Sequence, residues 1–167
     1  IIKNKFYGRR ASDMLPPVTI EWRIIMVDNN CAYCVEGDLV AKFGIKICEL
    51  ETSKVYLFKE QSHPGRCIVA HKKHVGDMNE LTAEERAAYF EDVARVARAI
   101  MAAFHPDKVN YGAYGDTGHH LHFHLVPKYK DEFEWGGVFL MNPDKKYLTD
   151  AEYADMAAKI RAGIEEQ

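Results

Sequence analysis

The chain has 167 residues, with 22 Lys and Arg against 25 Asp and Glu, a formal net charge of -3 and 47% hydrophobic residues. That length suits one compact domain with a small appendage, able to bury roughly 70% of the surface its unfolded form exposes, and the composition excludes disordered, collagenous and disulfide-dense classes. The near-neutral balance argues against nucleic-acid binding by bulk charge, because neutralising phosphates takes a basic excess, and leaves only a local basic patch for it.

Residues 1–30 read as an N-terminal extension, with Arg9-Arg10, Pro16-Pro17 and Asn29-Asn30 as punctuation around one predicted strand over 18–26. Residues 1–10 carry charges with no hydrophobic segment or cleavage site after them. No apolar run approaches the ~18 residues of a membrane helix, so a cytoplasmic protein without a membrane partner is expected. The chain has 4 cysteines, Cys31, Cys34, Cys48 and Cys67. These are too few for a secreted disulfide scaffold and read as reduced thiols.

From Gly44 the pattern becomes regular. Runs over 44–50 and 54–59 flank a polar Glu51-Thr52-Ser53 turn and predict a hairpin. His63-Pro64-Gly65 makes a turn into a third strand over 66–71. Thr82 and Glu85 form a capping box, opening a helix whose buried stripe is Phe90, Val93, Ala97, Ile100 and Phe104, stopped by His105-Pro106. Strands are predicted again over 108–114 and 119–126, the second ended by Pro127. A second capping box, Thr149 and Glu152, opens a C-terminal helix with Tyr153, Met156, Ile160 and Ile164 inward. The order implies an α+β domain over 31–130, an antiparallel sheet of about five strands with one long helix, followed by a C-terminal loop and helix over 131–167.

The chain has 8 histidines, and the segment after Gly118 concentrates them. In an extended strand His120, His122 and His124 share one face, about 6 to 7 Å apart, while Leu121, Phe123 and Leu125 share the other. Two chemistries compete for such a row. The imidazoles are metal ligands of a metal-dependent enzyme, or one is a nucleophile toward phosphorus and the others position the phosphate. Cys31-x-x-Cys34, taken alone, is equally consistent with zinc, a redox pair or chance.

The run His120-Leu-His122-Phe-His124-Leu-Val126-Pro127 resembles the signature of the histidine triad (HIT) family of nucleotide hydrolases and transferases. Its flanks agree. Gly115-Asp-Thr-Gly-His-His120 resembles the family's approach to the triad, Pro64-Gly65-Arg-Cys-Ile-Val-Ala-His-Lys-Lys-His74 its Pro-Gly-His strand, and the 81–104 helix its long helix. The likeness runs over about 100 residues, from Cys31 to Tyr129, and implies a HIT-like fold, a purine nucleotide substrate and a homodimer.

By that resemblance His122 is the nucleophile that forms a nucleotidyl-histidine intermediate, and His124 and Thr117 contact the phosphate. Asn110 and Gly118 stand near the substrate, where backbone N–H groups at Gly118 and His119 would stabilise phosphoryl charge. His120, the first triad member, is shared between the catalytic row and a metal site. Like branches that include galactose-1-phosphate uridylyltransferases, the chain would hold a structural zinc on Cys31, Cys34, His74 and His120, two thiolates and two imidazoles, with no cofactor required for the chemistry. Asp116 departs from the usual Gln or Asn and puts a charge beside an anion site, unless it points away, is protonated, pairs with His119 or Lys128, or the site is tuned for a different leaving group. Phe43, Ile45, Leu57 and Phe58 are expected around the base. His119 should face away from the triad. A nucleotide-binding regulator without turnover is the remaining alternative.

Overall fold

The structure is a computed structural model and describes residues 28–116 and 118–167. The predicted strand over 18–26 lies outside the described residues. The domain begins with two single-turn helices, α1 (Ala32–Val35) and α2 (Asp38–Ala41), that the sequence reading did not anticipate. They are too short to show a 3.6-residue period.

Five strands follow: β1 (Gly44–Glu49), β2 (Ser53–Phe58), β3 (Cys67–His71), β4 (Lys108–Gly112) and β5 (His122–Lys128). They form one sheet in the order β1-β2-β3-β5-β4, with every neighbouring pair antiparallel. The 22-residue helix α3 (Ala83–Phe104) joins β3 to β4, and α4 (Asp150–Glu165) closes the chain. Both predicted capping boxes are present, Thr82 with Glu85 and Thr149 with Glu152.

The two faces of the sheet separate core from site. Val55, Leu57, Val69, Phe123 and Leu125 face α3 and α4, where they pack with Val93, Val96, Ile100 and Ile160. Tyr89 donates its hydroxyl to the Val69 carbonyl at 2.7 Å. Buried Asp92 accepts from Thr52 N, Thr52 Oγ1 and Ser53 Oγ at 2.7–2.9 Å, pinning the β1–β2 turn to α3. Met156 is only partly buried, and Phe90 departs further from its predicted inward place. It is 45% exposed, touching the core through Phe123 at 5.7 Å, because Tyr89 takes the inward position instead.

The opposite face carries Tyr56, Phe58, Ile68 and Ala70 and is covered by Cys31, Tyr33 and Val40. Glu36, at the end of α1, receives Lys46 at 2.8 Å and also Lys54, which ties α1 to β1 and β2.

Two boundaries differ from the sequence reading. β5 starts at His122 rather than 119, because His119 turns the backbone with φ 39°. It also continues through Pro127, which sits opposite Val109 on β4. β3 begins at Cys67, opposite Leu125, and does not reach Pro127, so there β5 is paired with β4 alone and tolerates a lost N–H. Gly65 makes the turn into β3 at φ +89°, where a Cβ would lie 2.5 Å from the Phe104 ring.

Candidate active site

β5 presents His122 and His124 on the face away from the helices, opposite Ala70 and Ile68 of β3. Their ring centroids are 5.2 Å apart. His122 Nδ1 lies 2.7 Å from the His120 carbonyl oxygen, so Nδ1–H donates there and Nε2 keeps a free lone pair. Burial lowers the pKa of His122, against the opposing pull of that carbonyl. His124 is driven further, to about 2, by burial and then by the neighbouring Arg66 and His122. Both rings are therefore neutral at physiological pH.

The third histidine leaves the row. His120 precedes β5, is buried, and directs Nδ1 toward Cys31 Sγ at 3.3 Å, Cys34 Sγ at 3.7 Å and His74 Nδ1 at 3.3 Å, while His74 Nδ1 lies 3.2 Å from Cys34 Sγ. Among the described residues these four are the set of His, Cys and carboxylate atoms that converge, all within 4.8 Å of one another. Tetrahedral zinc with Zn–N about 2.0 Å and Zn–S about 2.3 Å requires N···N of about 3.3 Å and N···S of about 3.5 Å, which the cluster approaches. His120 Nε2–H donates to the His71 carbonyl at 2.7 Å, leaving Nδ1 as the free ligand nitrogen. The donor set fits zinc. The reading of all three strand histidines as ligands of one metal does not fit, because His120 turns to the thiols and His124 Nδ1 faces Arg66.

A cavity of about 810 Å³ opens over His122 and His124. Tyr33, Phe43, Phe58 and Phe139 form its aromatic walls, Asp116, Gly118 and His119 of the loop before β5 line it, and Asp28 ahead of α1 lines it too. Ile45 and Leu57, expected around the base, instead pair with each other on the helix-covered face. Period-2 alternation allows only Phe43 and Phe58 of that set to reach the cavity.

His119 faces the cavity rather than away from it, and its N–H donates to Gly115 at 3.1 Å, so it is no free donor for phosphate. Asp116 is exposed and lines the cavity. Lys128, offered as its partner, is buried and donates to the Glu134 and Gly137 carbonyls instead. Asn110 stands opposite Val126, on the site face but two register positions beyond Gly112 and His124 and outside the cavity lining. Thr117 lies outside the described residues.

The sequence reading missed Tyr33, whose ring lies 5.0 Å from both His120 and His122. It also missed Arg66 and the 131–148 segment that supplies Val138, Phe139 and Met141 to the cavity. A lone arginine opening the apolar run Cys67–Ala70, in the place of the histidine of Pro-Gly-His, was the available signal for Arg66.

An α+β sheet that offers paired imidazoles on one strand over an aromatic cavity, with a third imidazole turned to a thiol pair, defines the histidine triad class. Residues 44–131 match the family model described as the HIT domain. The chain is 30% identical over 122 residues to Protein hit of Bacillus subtilis, covering 69% of this chain and 82% of that protein. It is 28% identical over 141 residues to the adenosine 5'-monophosphoramidase hnt1 of Schizosaccharomyces pombe, covering 79% of this chain and 99% of that one. Among solved structures, a histidine triad protein from Marinobacter aquaeolei superposes with a TM-score of 0.71 at 21% identity, over 78% of this chain and 96% of that one. A Zn-bound histidine triad family protein from Mycobacterium smegmatis does so with 0.58 at 23%, over 81% and 94%. The chain belongs to the HIT family.

Proposed function

We propose that this chain hydrolyses purine nucleoside 5'-phosphoramidates through a nucleotidyl-histidine intermediate on His122. The observation that carries the reading is the free Nε2 lone pair of His122, set by the Nδ1–H···O=C bond to His120 inside the cavity. In the first step Nε2 attacks the α-phosphorus and the P–N bond breaks, the leaving nitrogen taking the bonding pair and a proton from solvent that the attacking water gives back in the second step. In the second, water attacks the phosphorus, the P–Nε2 bond breaks and the nucleoside monophosphate departs. His124 donates from Nε2 to a phosphoryl oxygen, Gly118 gives the phosphate close approach, and Tyr33, Phe43 and Phe58 hold the base. Thr117 stays in this reading as a further polar contact to the substrate, whereas Asn110, outside the cavity lining, is left out of it.

The charge of the cavity favours this linkage over a dinucleoside polyphosphate. Among the described residues its lining holds two carboxylates, Asp28 and Asp116, and no lysine or arginine. A polyphosphate leaving group brings several negative charges to that rim, whereas an amine brings none. The likeness to an adenosine 5'-monophosphoramidase supports the same class.

Zinc on Cys31, Cys34, His74 and His120 is structural in this reading. It fastens α1 to the segment that leads into β5. β4 forms one edge of the sheet, and its pairing with a second copy would give a homodimer, to be checked by light scattering. Among the described residues no helix is long and apolar enough to cross a membrane, and a cytoplasmic place is part of the proposal.

The test is rapid quenching of the protein with labelled adenosine 5'-phosphoramidate, followed by mass mapping. An AMP adduct on His122 that decays at the rate of AMP release supports the reading. Steady release of AMP with no adduct on any histidine overturns the covalent route, and absence of turnover with phosphoramidates and dinucleotides alike would leave the regulator reading standing.

A further inference from the structure

Arg66 is a fully buried cation beside the cavity, and its surroundings are unusual for a structural arginine. Its guanidinium lies 4.3 Å from the Phe58 ring centroid and 5.2 Å from that of Phe139, so aromatic faces flank it. Nη2 lies 3.2 Å from His124 Nδ1 and 3.2 Å from Met141 Sδ, Nη1 lies 3.5 Å from the Leu140 carbonyl, and Nε has no partner. Among the described residues no carboxylate forms an ion pair with it. Glu60 and Glu134 stand near enough to act on its charge but not at ion-pair distance, so a charge buried this deeply is only partly balanced and an anion entering the cavity beside it would balance it further.

An arginine has donors only, so His124 Nδ1 must accept from it and the single ring proton must sit on Nε2. Since His124 lines the cavity with Nδ1 occupied, Nε2–H is the group left to meet a ligand. We propose that Arg66 is a positioning residue that fixes His124 in the Nε2–H tautomer and places positive charge behind it, so that the two act together as one donor to a phosphoryl oxygen. What that donor holds rests on the phosphoramidate reading above; the tautomer does not.

Two-bond 1H–15N correlation spectra of 15N-labelled protein, with the His124 signals identified by their loss in His124→Gln, read the tautomer directly. The wild type should show His124 as Nε2–H, and Arg66→Met should lose that uniform state. Arg66→Gln keeps a donor without the charge, so it should retain the tautomer while kcat for adenosine 5'-phosphoramidate falls. Arg66→Met should lower kcat by about 100-fold with KM within about threefold, and Arg66→Lys should recover part of it. Nδ1–H on His124 in the wild type overturns the proposal whether or not the variants fold. So does an Arg66→Met protein with unchanged tautomer and unchanged kcat. If the wild type releases no AMP, the functional reading fails while the spectra still decide the role of Arg66.

Discussion

His122 and His120, two residues apart, are held in opposite tautomers by backbone carbonyls. His122 Nδ1–H donates to the His120 oxygen at 2.7 Å, and His120 Nε2–H donates to the His71 oxygen, also at 2.7 Å. One ring therefore keeps its lone pair on Nε2 and the other on Nδ1. This division would let a single short segment serve the proposed phosphorus-directed site and the proposed zinc cluster without the two competing for a nitrogen.

The division predicts separable phenotypes. His122→Asn removes the Nε2 lone pair and should reduce AMP release by at least about 10³-fold while zinc content and thermal midpoint stay at wild-type levels. Metal analysis and calorimetry on the same preparation check this. Loss of zinc in His122→Asn would show that the strand histidines share a metal.

Cys34 and His74 test the other half. Cys34→Ala and His74→Ala should each abolish stoichiometric zinc, measured by mass spectrometry of the dialysed protein. Zinc at a thousandfold over its Kd contributes about 4 kcal/mol to the folded state. At roughly 2 to 4 °C per kcal/mol for a chain of this size, chelation should lower the wild-type midpoint by about 10 °C and leave the variants unmoved.

The elements that a period can reveal were legible in the chain. The alternation of His122, Phe123, His124 and Leu125 separated site from core, and the capping boxes at Thr82 and Thr149 located both long helices. His120 obeyed the same pattern yet left the strand, since a 39° φ at His119 is set by the loop and not by alternation. The 131–148 segment has no period at all. It is placed by side-chain ties to backbone: Glu134 takes the Leu140 N–H at 3.1 Å, and buried Glu60 takes those of Lys145 and Lys146 at 3.2 Å. Such ties join residues up to 86 positions apart, and no local pattern announces them.

Gly65 should be intolerant of a side chain. At φ +89°, with a Cβ 2.5 Å from the rigid Phe104 ring, Gly65→Ala combines left-handed strain with a clash and should cost about 2 to 4 kcal/mol. Urea unfolding with an unchanged m-value would measure it, and a loss below about 0.5 kcal/mol would contradict the turn geometry.

The pH dependence of stability should carry the mark of His124. Burial, helped by Arg66 and His122, lowers its folded pKa to about 2, whereas an unfolded histidine titrates near 6.5. Between those values the unfolded chain binds a proton that the folded chain does not, so this contribution is complete above about pH 6.5 and is lost as pH falls. The slope is about 1.4 kcal/mol per pH unit for one such group. The stability difference between wild type and His124→Gln should therefore shrink by about that much per unit from pH 6 to pH 4. A constant difference over that range would contradict a neutral, buried His124.

Asp116 makes the charge of the rim testable without touching the histidines. It is exposed and lines the cavity with Asp28, where its carboxylate would oppose an anionic leaving group and leave an amine unaffected. At near-aqueous screening one such charge is worth about 1 kcal/mol, so Asp116→Asn should raise kcat/KM for a dinucleoside polyphosphate by about fivefold and leave that for adenosine 5'-phosphoramidate within about twofold. Salt should produce the same convergence in the wild type, because a Debye length of about 10 Å at 0.1 M falls to about 3 Å at 1 M. Competition assays at both ionic strengths measure the ratio. Equal gains on both substrates would mean that Asp116 acts on the nucleotide's own phosphate and not on the leaving group.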